Sequence, residues 1–185
     1  MRKKNIEPEK IKFPDTFQIF GADLSLKRPG FFYAIVNKND NNFEFSSCKT
    51  SSVDNKKNKK KHGEILAEII THLGDFCQNI DKMIPIYFVR EKAFNSRGAQ
   101  SEIGIFEVVG ITNLYLHSVY GKEWSEIYPV SVKKIITGTA KAEKKDVETS
   151  LNKYLPPIEF ANDDESDAAA VAVSWILQQS AKEEE

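Results

Sequence analysis

The sequence predicts an α/β layer fold with a mixed sheet, on three observations. Three short apolar runs separated by turn signals open the chain. Helical periodicity then alternates with a nearly continuous apolar run, as in a sheet covered on both faces. The length of 185 residues, with 41% hydrophobic and 29% charged residues, suits one core rather than two.

Residues 1–15 are polar, carry Pro8 and Pro14, and read as an N-terminal arm. Phe17 to Asp23 forms the first strand, ending in the small residues Gly21 and Ala22 and one acid. Phe31 to Val36 is the second strand, and the stretch around Phe43 to Phe45 the third, with Asn39 to Asn42 as the hairpin turn. Ser51 to His62 holds five lysines between Lys56 and Lys61 and reads as an exposed loop. Ile65, Leu66, Ile69, Ile70, Leu73 and Phe76 recur at helical spacing, and Met83 to Val89 is a buried strand ending in Arg90 and Glu91.

After a polar loop at Asn95 to Gly98, residues 99–119 are apolar around almost the whole helix circumference. Such a helix has one side for its own sheet and a second for a partner, for which a second copy of the chain is the economical choice. Ile127 to Ser131 reads as a short strand, Val132 to Thr137 follows, and Gly138 breaks the chain before a helix at Ala142 to Leu155, closed by Pro156 and Pro157. A last helix runs from Asp164 to Gln179, ahead of an acidic tail at 181–185. The division is thus an arm, one domain over 16–180 with a lysine-rich loop at 51–62, and the tail.

Composition narrows the function classes. The net charge is -1, so an anionic partner has to be met by a local patch. Two cysteines, Cys48 and Cys77, exclude a disulfide scaffold and favour a reducing compartment. Met1 to Lys4 is followed by polar residues rather than an apolar stretch, and no run reaches the roughly 18 apolar residues of a membrane span. The expectation is a soluble cytoplasmic protein.

Four acids sit at three element ends: Asp23, Glu91, and the i, i+3 pair Asp164 and Asp167 opening the last helix. If the first and fourth strands pair side by side, Asp23 meets Glu91, and packing the last helix through Ala168, Val171 and Trp175 aims its first turn at the same place. Converging carboxylates repel unless cations intervene, and hard divalent cations suit oxygen ligands; two of them suit in-line displacement at phosphorus. Asp163 is i, i+4 from Asp167, so spacing alone leaves Asp163 and Asp164 both open. A purely structural reading also exists, since acids at a helix start complement the macrodipole and cap free amides.

Four segments resemble the RuvC Holliday junction resolvases, which have the ribonuclease H-like fold. They are Phe20-Gly21-Ala22-Asp23 with Gly30; Glu91-Lys92-Ala93-Phe94; Val132-Lys133-Lys134 through Thr137-Gly138 to Ala142-Glu143-Lys144; and Asp164-Glu165-Ser166-Asp167-Ala168. They occur in family order and span about residues 16 to 178. The resemblance implies a three-layer fold whose five-stranded mixed sheet is flanked by helices. It selects Asp164 with Asp167, and implies that Asp23, Glu91, Asp164 and Asp167 bind two Mg²⁺, with Mn²⁺ able to substitute. Lys133 and Lys144 match lysines beside the site that contact the scissile strand, and Phe94 matches an aromatic that stacks on junction bases. The implied activity is a homodimer, joined through helix 99–119, that nicks opposed strands of a four-way junction, with forks and flaps as further substrates.

The chain departs from the family in having Asp23-Leu24-Ser25 where bacterial members usually have Asp-Pro-Gly. With the lysine-rich loop and the abundant Lys and Asn, this matches a divergent, phage-encoded member such as one from a lactococcal phage, acting in the host cytoplasm. The net charge still allows DNA binding: setting aside Asp163, Asp164, Glu165, Asp167 and Glu183 to Glu185 takes -1 to +6. Arg97, Lys133, Lys134, Lys141, Lys144 and Lys145 are then the expected phosphate contacts, besides the lysine loop. His62, His72 and His117 lack a ligand spacing. Competing classes are a branched-DNA binding protein with little cleavage, a ribonuclease H-like nuclease of structured RNA, and a phosphate-handling ATPase, for which the chain has no glycine-rich phosphate loop.

Overall fold

A computed structural model describes residues 11–40, 42–55, 60–92 and 99–181, excluding the side chains of 99–102. Three strands come first: β1 (Thr16–Asp23), β2 (Gly30–Asn39) and β3 (Asn42–Ser52). They form the antiparallel meander expected from the turn residues, with Asp40 at φ 47° in the hairpin connection. After α1 (His62–Phe76) and a short 3-10 turn, β4 (Ile86–Glu91) lies parallel to β1, with Ala22 opposite Arg90. Then follow α2 (Ala99–Tyr120), β5 (Ser125–Ile127), α3 (Pro129–Thr137), α4 (Lys144–Leu151) and α5 (Asp163–Ala181). The sheet order is β3-β2-β1-β4-β5, a five-stranded mixed sheet flanked by helices.

Strand alternation divides the interior in two. Phe17, Ile19, Val89, Ile127 and Ala34 face α3, α4 and α5, whereas Phe20, Ala22, Phe31 and Phe88 face α1 and α2. Helix α5 is buried through Ala168 to Ile176 because it lies between the sheet and the α3–α4 pair. Its small residues admit close approach to the strands. A Cβ built on Gly21 stands 2.3 Å from the carbonyl oxygen of Ala168, and one on Gly30 stands 1.9 Å from that of Asp164. Only glycine lets the helix backbone rest on the strands at these two points.

Several boundaries differ from expectation. Phe13 is 3% exposed and stacks on Phe17 with ring centroids 4.7 Å apart, so the end of the supposed arm belongs to the core. Residues 1–10, the lysines at 56–59 and the tail at 182–185 lie outside the described residues. The third strand runs on to Ser52, shortening the lysine loop, because Thr50 to Ser52 pair with Phe32 to Gly30. The expected strand at 127–131 ends at Ile127, since Pro129 occupies the first turn of α3, where its missing N–H costs nothing and its fixed φ suits a helix. The helix expected over 142–155 is regular only over Lys144–Leu151. No described helix is long and apolar enough to cross a membrane.

Helix α2 does have two apolar sides. Val108, Val109, Thr112 and Leu116 face the core, where Thr112 accepts the Trp124 indole N–H at 3.1 Å. Ile103, Phe106, Leu114 and Val119 are exposed, Leu114 at 68%. Burial, partial at Cys48 and nearly complete at Cys77, pushes the two thiols up to about 11 and about 12, so they stay protonated at neutral pH.

Replacing Gly30 by Ala forces the Asp164 backbone away and is expected to cost about 1–3 kcal/mol, lowering the melting temperature by ~3–10 °C. Gly63→Ala, in the first turn of α1 with open space around it, is the matched control and should stabilise by about 0.5 kcal/mol. Thermal unfolding followed by circular dichroism separates the two.

Candidate active site

The acids reach one place through three independent constraints. Strand alternation puts Asp23 on the α5 face, two residues beyond Gly21, and Glu91 on the same face, two beyond Val89. The parallel register sets them on neighbouring strand ends, one step past the Ala22–Arg90 pair. The N-terminus of α5 is then fixed over them. Asn162 accepts the backbone N–H of Asp164 at 3.0 Å, and its own amide donates to Ser52 Oγ at 2.7 Å. Ser52 Oγ donates to Glu165 at 2.9 Å, and the second oxygen of Glu165 accepts from the Ala161 N–H at 3.1 Å. Glu165 is therefore a buried clamp between the helix start and β3, not a solvated cap.

The electrostatics show that these carboxylates share one field. Burial, then Glu91, Asp167 and Asp164, push Asp23 up to about 8, against the pull of Lys144. Burial and Asp167 push Glu91 up to about 7, opposed by Lys144 and Lys133. Burial also raises Asp167, while Lys144 holds it down. Asp164 acts on Asp23; Asp163 is exposed, and Lys144 Nζ lies 3.9 Å from its carboxylate. Lys144 Nζ donates to Asp167 at 2.6 Å, and Lys133 Nζ donates to the Ala142 carbonyl at 2.9 Å, tying α3 to the segment before α4. Lys134, Lys141 and Lys145 are exposed, and Phe94 and Arg97 lie outside the described residues.

The donor set suits a hard divalent cation: four carboxylates, of which Asp23 and Glu91 are raised to about 8 and about 7 by burial first and by their acidic neighbours second. Yet the arrangement is not a finished cage. Among the described residues no three His, Cys, Asp or Glu side chains surround a point closely enough to hold a metal ion. Two cations already engage the helix carboxylates: Lys144 on Asp167, and Arg28, whose Nε donates to Asp164. Arg28 was not visible in the sequence as a site residue, because it lies five positions after Asp23 in a loop of no marked pattern. Asn162 and Glu165 carried a detectable signal, the spacing of a capping box in front of an apolar helix.

The loop that departs from Asp-Pro-Gly has its own packing. Leu24 is buried in the α1–α2 core, and Leu26 lies against Gly104 of α2. Ser25 Oγ accepts the Arg28 N–H at 3.0 Å and closes the turn that replaces the proline and glycine.

Raised carboxylates make the metal-free protein sensitive to pH. The folded state binds protons on Asp23 and Glu91 that the unfolded chain has released, so stability is complete below about pH 4 for this pair and drains away through pH 7 to 8. In the presence of a chelator the melting temperature should fall by ~5 °C or more between pH 5 and pH 9. Asp23→Asn should flatten that slope, and Mg²⁺ should remove it; scanning calorimetry across pH reads all three.

Comparison with known proteins places this geometry. The family model of "Crossover junction endodeoxyribonuclease RuvC" matches residues 19–175. A RuvC of Pseudothermotoga lettingae is 29% identical over 160 residues, covering 85% of this chain and 91% of that protein. One of Rhizobium etli is 27% identical over 161 residues, covering 86% and 89% respectively. Among solved structures, Thermus thermophilus RuvC in complex with a Holliday junction substrate aligns with a TM-score of 0.71 at 16% identity, over 90% of this chain and 96% of that one, and so shares the fold. With the family match running from inside β1 to within α5, over well more than half of its length, the chain belongs to the RuvC family of crossover junction endodeoxyribonucleases.

Proposed function

We propose that this chain is a metal-dependent endonuclease that cuts branched DNA, four-way junctions foremost, through one nuclease domain over about residues 16–180. The observation that carries the reading is the shared field of Asp23, Glu91, Asp164 and Asp167 on the α5 face, with Lys133 and Lys144 at its border. Nucleases of the family depend in general on divalent metal. In this chain Asp23, Glu91, Asp164 and Asp167 would hold Mg²⁺ or Mn²⁺, two per site, after Arg28 and Lys144 swing off the helix carboxylates. Bound divalent cations supply Lewis acidity at phosphorus and neutralise charge at the leaving 3′ oxygen.

The remaining work falls to protein groups. Lys144, released from Asp167, is within reach of a scissile phosphate lying over the carboxylates, and Lys133 anchors α3 beside it. Lys134, Lys141 and Lys145, exposed on the same helical layer, extend a cationic track along which the backbone of a duplex arm can lie. Phe94 and Arg97 follow Glu91 closely in sequence and are proposed to meet the unpaired or splayed bases at the branch.

The second apolar side of α2 fits the same reading. Ile103, Phe106, Gly110 and Leu114 form one stripe, three to four residues apart, and a Cβ added at Gly110 would meet nothing within 4 Å. A two-fold pairing through that stripe would set two active sites against opposed strands of a four-way junction. Ile105, Val109 and Leu116, by contrast, turn towards the α1–α2 core, so substitutions there test folding rather than association.

Wild-type protein on a synthetic immobile junction should nick in Mg²⁺, and Asp23→Asn should keep junction binding while losing about 10³-fold or more in cleavage, read on denaturing gels. Duplex, flap and RNA–DNA hybrid substrates run beside it define the branch preference; a wild type that binds junctions without nicking them would make the chain a branched-DNA binding protein instead. Phe106→Lys and Leu114→Glu should each yield monomers in light scattering with a melting temperature shifted by no more than ~3 °C, because both positions are exposed within the protomer.

A further inference from the structure

Arg28 occupies a constrained position. Its own N–H is taken by Ser25 Oγ at 3.0 Å, and the residues on both sides are tied to the strand-end segment after β3: the Asn55 N–H donates to the Lys27 carbonyl at 2.9 Å and the Val53 N–H to the Pro29 carbonyl at 3.2 Å. Two residues further on, Gly30 touches the Asp164 backbone. With the backbone held at both ends, the side chain has a short, defined reach, and its Nε donates to Asp164 Oδ2. The pair is largely sheltered, with 22% of the Arg28 side chain and 16% of the Asp164 side chain exposed. The two terminal nitrogens of the guanidinium have no hydrogen-bond partner among the described residues.

We propose that Arg28 is a resident counter-ion of the carboxylate cluster, which holds Asp164 in the metal-free protein and competes with divalent metal for that carboxylate. Resting on the metal reading of Asp164 given above, this inference adds a residue that neither the family pattern nor the acids themselves supply. A guanidinium neutralises one carboxylate through directed N–H donors, whereas a divalent ion draws oxygens from several carboxylates to one point. The two modes exclude each other at Asp164 Oδ2. Arg28 thus engages Asp164 as Lys144 engages Asp167, and among the described residues no three ligands gather about one centre.

The opposite role, a positioning residue that orients Asp164 for metal, makes the opposite prediction and is therefore separable. Titrating Mn²⁺ into the full-length chain without DNA, and following the free ion by electron paramagnetic resonance, measures affinity independently of cleavage. Arg28→Gln should bind Mn²⁺ about three- to tenfold more tightly than wild type, because the competitor is gone. Arg28→Met, which keeps the packed stem while dropping the charge, serves if the glutamine variant does not fold and should show the same gain. In an Asp164→Asn background the gain should vanish, since Arg28 acts through that carboxylate. Equal or weaker binding by Arg28→Gln or Arg28→Met overturns the counter-ion role while leaving the nuclease reading intact. A wild type that binds no Mn²⁺ at millimolar concentration overturns the metal reading itself.

Discussion

The close seating of α5 on β1 and β2 governs everything else in this molecule. Helix and strand backbones approach to a distance that a single Cβ at Gly21 or Gly30 would forbid, with Ala168 and Ala172 presenting only methyl groups from the helix side. This contact sets how far the helix carboxylates stand from the strand-end carboxylates, because Asp164 is itself the residue whose carbonyl lies over Gly30. A Cβ at Gly30 would have to push the Asp164 backbone away, and with it the helix carboxylates from the strand-end pair. Glu165 and Asn162 complete the seating by fixing the helix start to Ser52, so the rotation of α5 about its axis is defined as well as its height.

Seating the helix this way costs electrostatic energy, and the chain meets that cost locally. Burial disfavours the charged forms of Asp23, Glu91 and Asp167, and the neighbouring carboxylates add to it. Arg28 and Lys144 answer the repulsion from within the fold, each on one of the two helix acids, leaving the strand pair to hold protons instead. The protein thus keeps a site whose groups conflict in the metal-free state, a pattern expected where stability yields to function. The distribution is uneven for a geometric reason: Arg28 and Lys144 approach from the loop after β1 and from the start of α4, whereas Asp23 and Glu91 end the neighbouring inner strands β1 and β4.

Much of this was legible in the sequence. The turn residues gave the antiparallel meander, and the acids at three element ends gave the candidate cluster on the condition that the first and fourth strands pair, which the parallel register of β1 and β4 meets. Other features were not, and each failure has a cause. Tyr128 to Ser131 has strand-like composition, but Pro129 turns it into a helix start. Phe13 sits in a polar stretch, and only tertiary packing against Phe17 and Trp175 shows that it belongs to the core. The two apolar sides of α2 were evident from composition, but which residues fall on which side depends on its docking angle, which no periodicity supplies. Arg28 was invisible because an ion pair across 136 positions leaves no local trace.

The loop between β1 and β2 connects these points. Where the family usually continues from the first acid with proline and glycine, this chain buries Leu24 in the α1–α2 core and closes the turn with a Ser25 to Arg28 hydrogen bond. A proline at position 24 would remove a backbone N–H and restrict the preceding residue, Asp23 itself, to extended geometry. The leucine instead anchors the loop by its side chain, so the backbone after Asp23 is held by packing on one face of the sheet while its charged end, Arg28, is delivered to the other. The packed turn after Asp23 and the Arg28–Asp164 ion pair belong to one loop, joined by the Ser25–Arg28 hydrogen bond.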